Sequence, residues 1–254
     1  MTAHYMKSAP PTRTDTEDET DQLEKSWFIR LSGHDPIAGG GESQVFARPG
    51  KSSQLIKVHN TQHVEHLAAS RSLKNRLRRW RGIGPYKTLL RLNRAYLDAV
   101  LKAAELGRPP PIAHQRGVLL TDLGLGVVVQ KIRGEDGELA VTVAKLHRRG
   151  RVDSDLVTAL TRFAGEMSAF HIIGNDLNPH NLVYETRHGR SRIVLVEGYG
   201  SRNLIPFRRW SRRVNDKSLS RRFQALAAWL DLTWDEGSWS FSQKDSEPGR
   251  SSSA

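Results

Sequence analysis

Cysteine is absent from the 254 residues of this chain, which excludes disulfide bonds and metal sites built on thiolates. Long hydrophobic runs are absent as well, and no stretch approaches the roughly 18 apolar residues that a membrane-spanning helix requires. The opening residues, MTAHYMKSAPPTRTD, lack the apolar core of a secretory signal. We therefore expect no membrane span and a cytoplasmic location.

Acidic residues are the minority, and the formal net charge is +12. The charge is uneven: residues 11–25 carry six acids and two bases, whereas residues 71–94 carry nine bases and no acid. Residues 202–222 carry eight bases and one acid. Basic patches attract polyanions such as nucleic acid and anionic lipid. A solvated basic surface explains any single patch equally well, so charge alone names no partner.

The two ends of the chain have little apolar surface to bury. Residues 1–25 are rich in Pro, Thr and acids, and residues 244–254 read KDSEPGRSSSA. Such segments gain too little from burial to offset the entropy of ordering, so we predict two disordered tails. The folded body should then cover residues 26–243, within which we find no internal repeat.

Periodicity within this body predicts strands first and helices later. Apolar runs bounded by turn residues predict strands over 27–32, 43–48 and 54–58 and a hairpin over 117–134. Helical spacing predicts helices over 86–107 and 155–173, the second capped by Asp153 or Ser154, then two short strands, NLVYE and RIVLVE, and a helical region over 203–232. This order predicts an α+β fold with an N-terminal antiparallel sheet lobe, 26–133, and a small, mainly helical C-terminal lobe, 134–243.

Three glycines, Gly39, Gly40 and Gly41, lie between a predicted strand and the next one, in GGGESQVF. Glycine lets a backbone adopt positive φ and approach a phosphate closely. An ordinary glycine-rich turn has the same composition, so this motif by itself does not indicate a ligand.

Lys57 lies inside the apolar strand QLIKV. If its stem is buried, its ammonium group needs an anionic partner, and a phosphate would serve. A strand that alternates between core and water, with Lys57 facing the water, is an equally good interpretation.

The stretch DLNPHN places Asp176 five residues before Asn181, between an amphipathic helix and a short strand. Such an acid can accept a proton from a hydroxyl nucleophile, and Asn181 can bind a metal ion and orient the loop. The competing interpretation is a proline-containing turn held by Asx hydrogen bonds. A second carboxylate, Glu197, comes after the next strand pair in LVEGYG and adds weight to the first interpretation.

These signals occur in the order glycine loop, strand lysine, Asp/Asn loop and strand-end carboxylate, which is similar to the protein-kinase-like phosphotransferases. The resemblance narrows further. The chain resembles the YrbL family of PhoP regulatory network proteins in six stretches. They are FIRLS, PIAGGGESQVFARP, LIKV, IRGEDGELAVTV, LNPHNLV and NLIPFRRWSR. The resemblance covers most of residues 28–232 and implies a bilobal protein-kinase-like fold.

On this resemblance, Gly40 with its neighbours Gly39 and Gly41 corresponds to the phosphate loop, although Ala38 and Ser43 replace the flanking glycines. Val45 corresponds to a residue that covers adenine, and Lys57 to the lysine that contacts the α- and β-phosphates of ATP.

The same resemblance implies that residues 129–133 form the hinge beside the adenine. It makes Asp176 the catalytic base, and it makes Asn181 and Glu197 the ligands of Mg²⁺. Glu197 replaces the usual aspartate and is longer by one methylene, which matters for the strict octahedral geometry of magnesium.

Other positions depart from the kinase pattern. The helix acid that pairs with the strand lysine is not evident, because the best-matching positions are Leu92 and Asn93. Substitutes for it are Glu65, Asp98 and Glu105. Gly174 stands where many relatives have His, and Asn178 where protein kinases have Lys.

Three hypotheses are consistent with these features. The first is an ATP–Mg-dependent phosphotransferase acting on a small molecule, because no Ala-Pro-Glu signal marks a peptide-binding segment. The second is a pseudokinase-type regulatory protein that binds nucleotide without turnover. The third is a basic protein that binds nucleic acid or another polyanion.

Overall fold

The computed structural model describes residues 28–39, 43–59, 87–187, 189–200 and 207–244. The predicted tails, apart from Lys244, lie outside these ranges. The chain divides into two compact units. The first takes its described residues from Met1–Asn75 and Gln115–Gln130, and the second from Arg76–His114 and Lys131–Ala254.

The first unit is built on a six-stranded sheet with the order β1-β5-β6-β4-β3-β2. Its strands are β1 (Phe28–Ile29), β2 (Ala38–Gly39), β3 (Ser43–Ala47), β4 (Gln54–His59), β5 (Gln115–Thr121) and β6 (Gly124–Gln130). Neighbouring strands pair antiparallel except β1 and β5, which are parallel. This arrangement confirms the predicted N-terminal sheet.

One face of this sheet carries the core of the first unit. Phe46, Ile56 and Val128 lie opposite one another on three adjacent strands, and all three are buried. Leu31, Val58 and Leu119 complete the cluster. Alternate residues of a strand point to opposite faces, so this row determines which side chains the other face presents.

The turn between β5 and β6 is tied to the chain just after β1. The Asp122 carboxylate accepts hydrogen bonds from the backbone N–H groups of Leu31, at 2.7 Å, and Ser32, at 3.0 Å. The bond from Leu31 is the main reason that the pKa of Asp122 falls from its ordinary 3.8 to about 2. The short strand β1 is thus fixed to the sheet by a side chain as well as by strand pairing.

The second unit contains five described helices and two hairpins. The helices are α1 (Lys87–Leu106), α2 (Val143–Arg148), α3 (Ser154–Ala169), α4 (Phe207–Trp210) and α5 (Arg212–Trp229). The hairpins are β7 (Leu182–Arg187) with β8 (Arg190–Leu195), and β9 (Leu232–Asp235) with β10 (Ser240–Gln243). Together with the sheet of the first unit, they confirm the predicted α+β class.

Capping side chains set the starts of α2, α3 and α5. The side chains of Thr142, Asp153 and Ser211 each accept a hydrogen bond from a backbone N–H in the first turn of the helix that they precede. Of the two candidates for the α3 cap, Asp153 is therefore the residue used. Side-chain oxygens suit this position because the first N–H groups of a helix have no partner within it.

The core of the second unit lies between α3 and α5. Phe163 and Met167 on α3 are fully buried with Leu219 and Phe223 on α5. Tyr96 of α1 belongs to the same core. The sequence prediction had placed this helix within the 26–133 lobe, whereas its packing assigns it to the second unit.

The β9–β10 hairpin was not predicted. Phe223 and Phe241 pack with Trp234 and Trp239, with ring centroids 4.9–6.1 Å apart. The backbone N–H of Phe241 also donates to Thr161 Oγ1 on α3 at 3.0 Å. The hairpin thus packs against both α3 and α5. Across the described ranges, no helix is both long enough and apolar enough to span a membrane.

Candidate active site

The segment after α3 is directed by the end of that helix. Phe170 caps α3, and His171 comes next with a positive φ of 52°. The Ile172 N–H then donates to Met167 O at 2.9 Å, and Ile172 O accepts a bond of 3.1 Å from Asn215 Nδ2 on α5. The predicted Asp/Asn loop therefore starts from a backbone anchored to two helices.

Gly198 joins this loop to the end of β8. Its carbonyl oxygen accepts hydrogen bonds from the N–H groups of Asn175, at 2.7 Å, and Asp176, at 3.0 Å. Gly198 has a φ of +84°, and a Cβ added there would lie 2.3 Å from Asp176 O. Only glycine fits this position without rearrangement. The contact brings the backbone of Glu197 beside that of Asp176.

Asn181 closes the loop back onto Asp176. Its Nδ2 donates to the carboxylate Oδ2 of Asp176 at 3.2 Å and to the backbone oxygen of Asp176 at 3.3 Å. The N–H of Val196 donates to Asn181 O at 3.0 Å, which ties the loop to the strand end that leads to Glu197. Three predicted site residues, Asp176, Asn181 and Glu197, are thus gathered in the second unit.

The turn between them is the Asx turn considered from the sequence. The N–H of His180 donates to Asn178 Oδ1 at 2.9 Å, and the N–H of Asn181 donates to Asn178 O at 2.8 Å. Pro179 O accepts a bond of 3.1 Å from Ala144 N in α2. The turn and the candidate site are therefore compatible, because the turn is what orients Asn181.

Gly174 stands where the kinase resemblance implies a histidine, and a side chain there would require its neighbours to shift. It is buried, and a Cβ there would lie 2.9 Å from Leu177 Cδ2 and 3.2 Å from Leu219 Cδ2. The substitution is thus part of how the loop packs on α5.

The donor chemistry of the loop fits a magnesium ion. Because Asn181 uses its amide nitrogen toward Asp176, its amide oxygen is directed elsewhere, and Glu197 contributes a partly exposed carboxylate. Magnesium prefers oxygen ligands and usually keeps waters and substrate phosphates among them. Within the described ranges, no group of three or more His, Cys, Asp or Glu side chains is placed to hold a metal ion. The ligands that the loop offers are the Asn181 amide oxygen and the Glu197 carboxylate.

The nucleotide-binding candidates belong to the first unit. Val45 on β3 lies directly opposite Lys57 on β4, and Lys57 lies opposite Val127 on β6. This row alternates with the Phe46–Ile56–Val128 core row, so Lys57 and Val45 share the other face of the sheet. Lys57 is half-buried.

The glycine segment is described only in part. Gly39 pairs with Gln44 at the start of the β2–β3 hairpin. Gly40 and Gly41 lie outside the described residues. The convergence of the two groups of candidates on one cleft stays a prediction.

The acid that would pair with Lys57 also stays open. Glu105 forms an exposed ion pair with Lys102, three residues earlier on α1. Asp98 is exposed on the same helix, and Glu65 lies outside the described residues.

Sequence reasoning missed Arg208, which stood out only as part of a basic run. Its Nη2 donates to Asn175 Oδ1 at 2.7 Å, and its Nη1 donates to Ser218 Oγ at 3.3 Å. Its carbonyl oxygen accepts a bond of 2.6 Å from His171 Nε2. The contacts with Asn175 and His171 span more than 30 residues along the chain, so no local pattern could have indicated them.

Comparison with known proteins agrees with the resemblance seen in the sequence. Residues 29–231 match the family described as PhoP regulatory network protein YrbL. Two curated relatives, both named "Uncharacterized protein YrbL", come from Escherichia coli strain K12 and Shigella flexneri. Each is 25% identical over 195 residues, which cover 73% of this chain and 80% of the relative.

Among solved structures, the chain is similar to two mutant forms of the PknI kinase domain from Mycobacterium tuberculosis. Both are 17% identical, with TM-scores of 0.38 and 0.37, and the match covers 64% of this chain. It covers 56% and 57% of the kinase chains, so this chain spans less than two thirds of their length.

Proposed function

The chain belongs to the YrbL family, and we propose that it is a kinase-like phosphotransferase that uses ATP and Mg²⁺ to phosphorylate a small molecule. The assembly of Asp176, Asn181 and the Glu197 strand end is the observation that carries this proposal. A plain surface turn would not require a glycine at 198 whose missing Cβ leaves room for the backbone of the proposed base.

Asp176 would act on the acceptor. Its side chain is exposed, and one carboxylate oxygen is held by Asn181 at 3.2 Å, so the carboxylate has a defined orientation toward solvent. In that position it would orient an acceptor hydroxyl and receive its proton as the oxygen attacks the γ-phosphorus. Little further covalent chemistry is demanded of the protein in phosphoryl transfer.

Asn181 and Glu197 would hold the metal, and Lys57 would hold phosphate oxygens. Magnesium, when bound, would neutralise charge on the β- and γ-phosphates. Lys57 would contribute a charge-assisted contact from the face of the sheet that it shares with Val45. The hydrophobic Val45 beside it suits an adenine ring.

The described elements after the Glu197 strand end contribute to the core of the second unit. The described chain there consists of the short helix α4, helix α5 and the β9–β10 hairpin. The inner face of α5 and the hairpin are used in the core, through Phe223 and Phe241. We propose a small acceptor because no Ala-Pro-Glu signal marks a peptide-binding segment in the sequence.

Purified full-length protein with ATP and magnesium, assayed for both binding and turnover, tests the proposal. A ligand at about one hundred times its Kd stabilises a fold by about 2.7 kcal/mol, which a thermal shift detects. We expect magnesium-dependent stabilisation and release of ADP in the presence of a hydroxyl acceptor. Absence of both would contradict the proposal.

The second candidate is a pseudokinase that binds nucleotide without turnover. Glu197 in place of aspartate favours it, because the extra methylene moves a metal ligand that has strict geometric demands. Replacing Glu197 by aspartate separates the two. Activity that is maintained or raised indicates a working site that tolerates glutamate, whereas nucleotide binding without turnover in both forms supports the pseudokinase.

A further inference from the structure

Arg208 lies beside the loop that carries the proposed base, Asp176. The side chains that accept hydrogen bonds from Arg208 are neutral. Its guanidinium donates to Asn175, the residue before Asp176, and to Ser218 on α5. In the described part of the chain, no ion pair joins Arg208 to a carboxylate. A partly buried cation is normally paired with an anion, because desolvation is costly for an unpaired charge.

Arg222 is the second cation of this region. It lies one helical turn after Ser218, so both side chains emerge from the same face of α5. Arg208 binds Ser218, so its guanidinium reaches the face of α5 from which Arg222 emerges. Desolvation is the main cause that lowers the pKa of Arg208, and repulsion from Arg222 adds to it. Like charges close together are unfavourable unless something compensates them.

Two buried donors in the same region lack acceptors. Asn175 Nδ2 and Arg222 Nε are both buried, and neither has a hydrogen-bond partner among the described residues. Buried polar atoms are nearly always satisfied, so an orphan pair in a native fold requires an explanation. Two buried acceptors of α5, Asn215 Oδ1 and Asp216 Oδ1, also lack partners within the described chain, but they lie at least six residues before Arg222. The two orphaned atoms associated with Arg208 are both donors, because Asn175 is bound by Arg208 and Arg222 lies one helical turn after Ser218, its other partner. The partner that they need is therefore an acceptor, and the surplus of positive charge makes it an anion.

We propose that Arg208 and Arg222, with Asn175, form an anion-binding site that holds a phosphate or carboxylate group of the acceptor. This inference rests on the proposed function for its role, because it places the anion beside the loop that carries Asp176. The acceptor class is then a compact hydroxyl compound that bears an anionic group, with its hydroxyl at Asp176 and its anion at the arginines.

Helix α5 supports this placement along its length. Its early residue Asn215 binds the start of the loop at Ile172 O, and its last residue, Trp229, contacts the His180 ring with centroids 6.4 Å apart. Arg222 lies between these two contacts in sequence and, by helical spacing, on the same side of the helix. The arginine pair therefore faces the loop between its anchored start and the Asx turn.

Thermal shift and titration calorimetry with inorganic phosphate test the site in the full-length protein at fixed ionic strength. We expect phosphate to stabilise the wild-type protein. Arg222→Gln or Arg208→Gln should raise the Kd for phosphate about tenfold or more, because a hydrogen bond to a charged group is lost. The matched control is Arg221→Gln, which removes the same charge from the adjacent, exposed position of α5. Equal weakening in Arg221→Gln and Arg222→Gln would show general attraction to a basic surface and overturn the proposal.

A second arm separates a free anion from an anionic acceptor. Glycerol phosphate should compete with inorganic phosphate and also accelerate ADP release, whereas glycerol at the same millimolar concentration should do neither. The Lys57→Ala variant should still bind phosphate if the arginines form the site. Loss of phosphate binding in Lys57→Ala would instead mean that phosphate binds at the nucleotide site, and would overturn the proposal. If the wild type binds phosphate through Arg222 but shows no response to ATP, the proposed function fails and the anion site stands.

Discussion

The two units hold their candidate residues by different means. In the first unit, Val45 and Lys57 face each other because strand register places them opposite, and register depends on which residues are buried. In the second unit, Asp176 and Glu197 are joined through one glycine carbonyl, and Asn181 reaches back to Asp176 by its side chain. We therefore expect a single substitution in the strands to disturb the register less than a change at Gly198 disturbs the junction.

The largest expected effect is on turnover. Asp176→Asn keeps the size of the side chain and part of its hydrogen bonding but removes the proposed base. General-base catalysis contributes roughly 10²–10⁴-fold in rate, so ADP release should fall by that factor. Nucleotide binding, measured by calorimetry, should be retained, because Lys57 and Val45 belong to the other unit. If Asp176→Asn releases ADP at a rate within a factor of about three of the wild type, Asp176 is not the catalytic base.

The next largest effect is on stability, at Gly198. Gly198→Ala forces an alanine into a positive φ and places its Cβ 2.3 Å from Asp176 O, so neighbouring backbone must move. Gly189→Ala is the matched control, since Gly189 has a φ of +69° and no atom within 4 Å of the added Cβ. Positive φ alone costs about 1–2 kcal/mol. We expect Gly198→Ala to lose clearly more than that in urea denaturation, and an equal loss in both variants would mean that the junction is not tightly packed.

A smaller effect is expected at Lys57. Lys57→Ala should reduce the thermal stabilisation by ATP and magnesium, because one charge-assisted phosphate contact is lost. Such a contact is worth about 1.5–3 kcal/mol, or roughly tenfold to a hundredfold in Kd. The exposed Lys51→Ala in the same unit serves as the control. If a folded Lys57→Ala protein is stabilised by ATP and magnesium as much as the wild type, Lys57 does not contact the nucleotide.

The smallest effect concerns acid stability of the first unit. The pKa of Asp122 is about 2 in the folded chain against an ordinary 3.8, so the folded state favours the charged form. A lowered pKa adds stability that is fully present above pH 3.8 and is lost as the pH falls toward 2. Asp122→Asn should therefore be less stable than wild type at neutral pH, with a difference that shrinks in this window. A difference that stays constant from about pH 5 to pH 2, measured by circular dichroism, would contradict the role of the carboxylate.

Much of the second unit's site was predictable because its residues lie close together in sequence. Asp176 and Asn181 are separated by five positions and were identified with Glu197 from an unusual pattern, and the structure places all three around one junction. Asn175 was overlooked despite lying inside the same stretch. Its importance comes from a partner, Arg208, that is distant along the chain.

The first unit was predicted from alternation, which is a reliable signal when one face of a sheet is buried. The strands β3, β4, β5 and β6 lie where the apolar runs indicated. The two-residue strand β2 was missed, because a pairing of that length leaves no periodicity to detect. The β9–β10 hairpin was missed for another reason. Apolar residues alternate in LTWDEGSWSFS on both sides of the Asp235–Gly237 turn, so the hairpin pattern is present in the sequence but short.

Local sequence is enough to predict the strands β3 to β6 and the helices α1 and α3, the start of α3 to within one residue, and which residues carry acid, amide and cationic chemistry. These properties depend on side-chain volume, polarity and spacing, all of which act over a few residues. The folded chain was needed to show that Lys57 faces Val45, that Gly198 lies against Asp176, and that Arg208 binds both Asn175 and α5. Those contacts join residues distant from one another in the chain, and they form because burying the core of each unit fixes which strands and helices lie side by side.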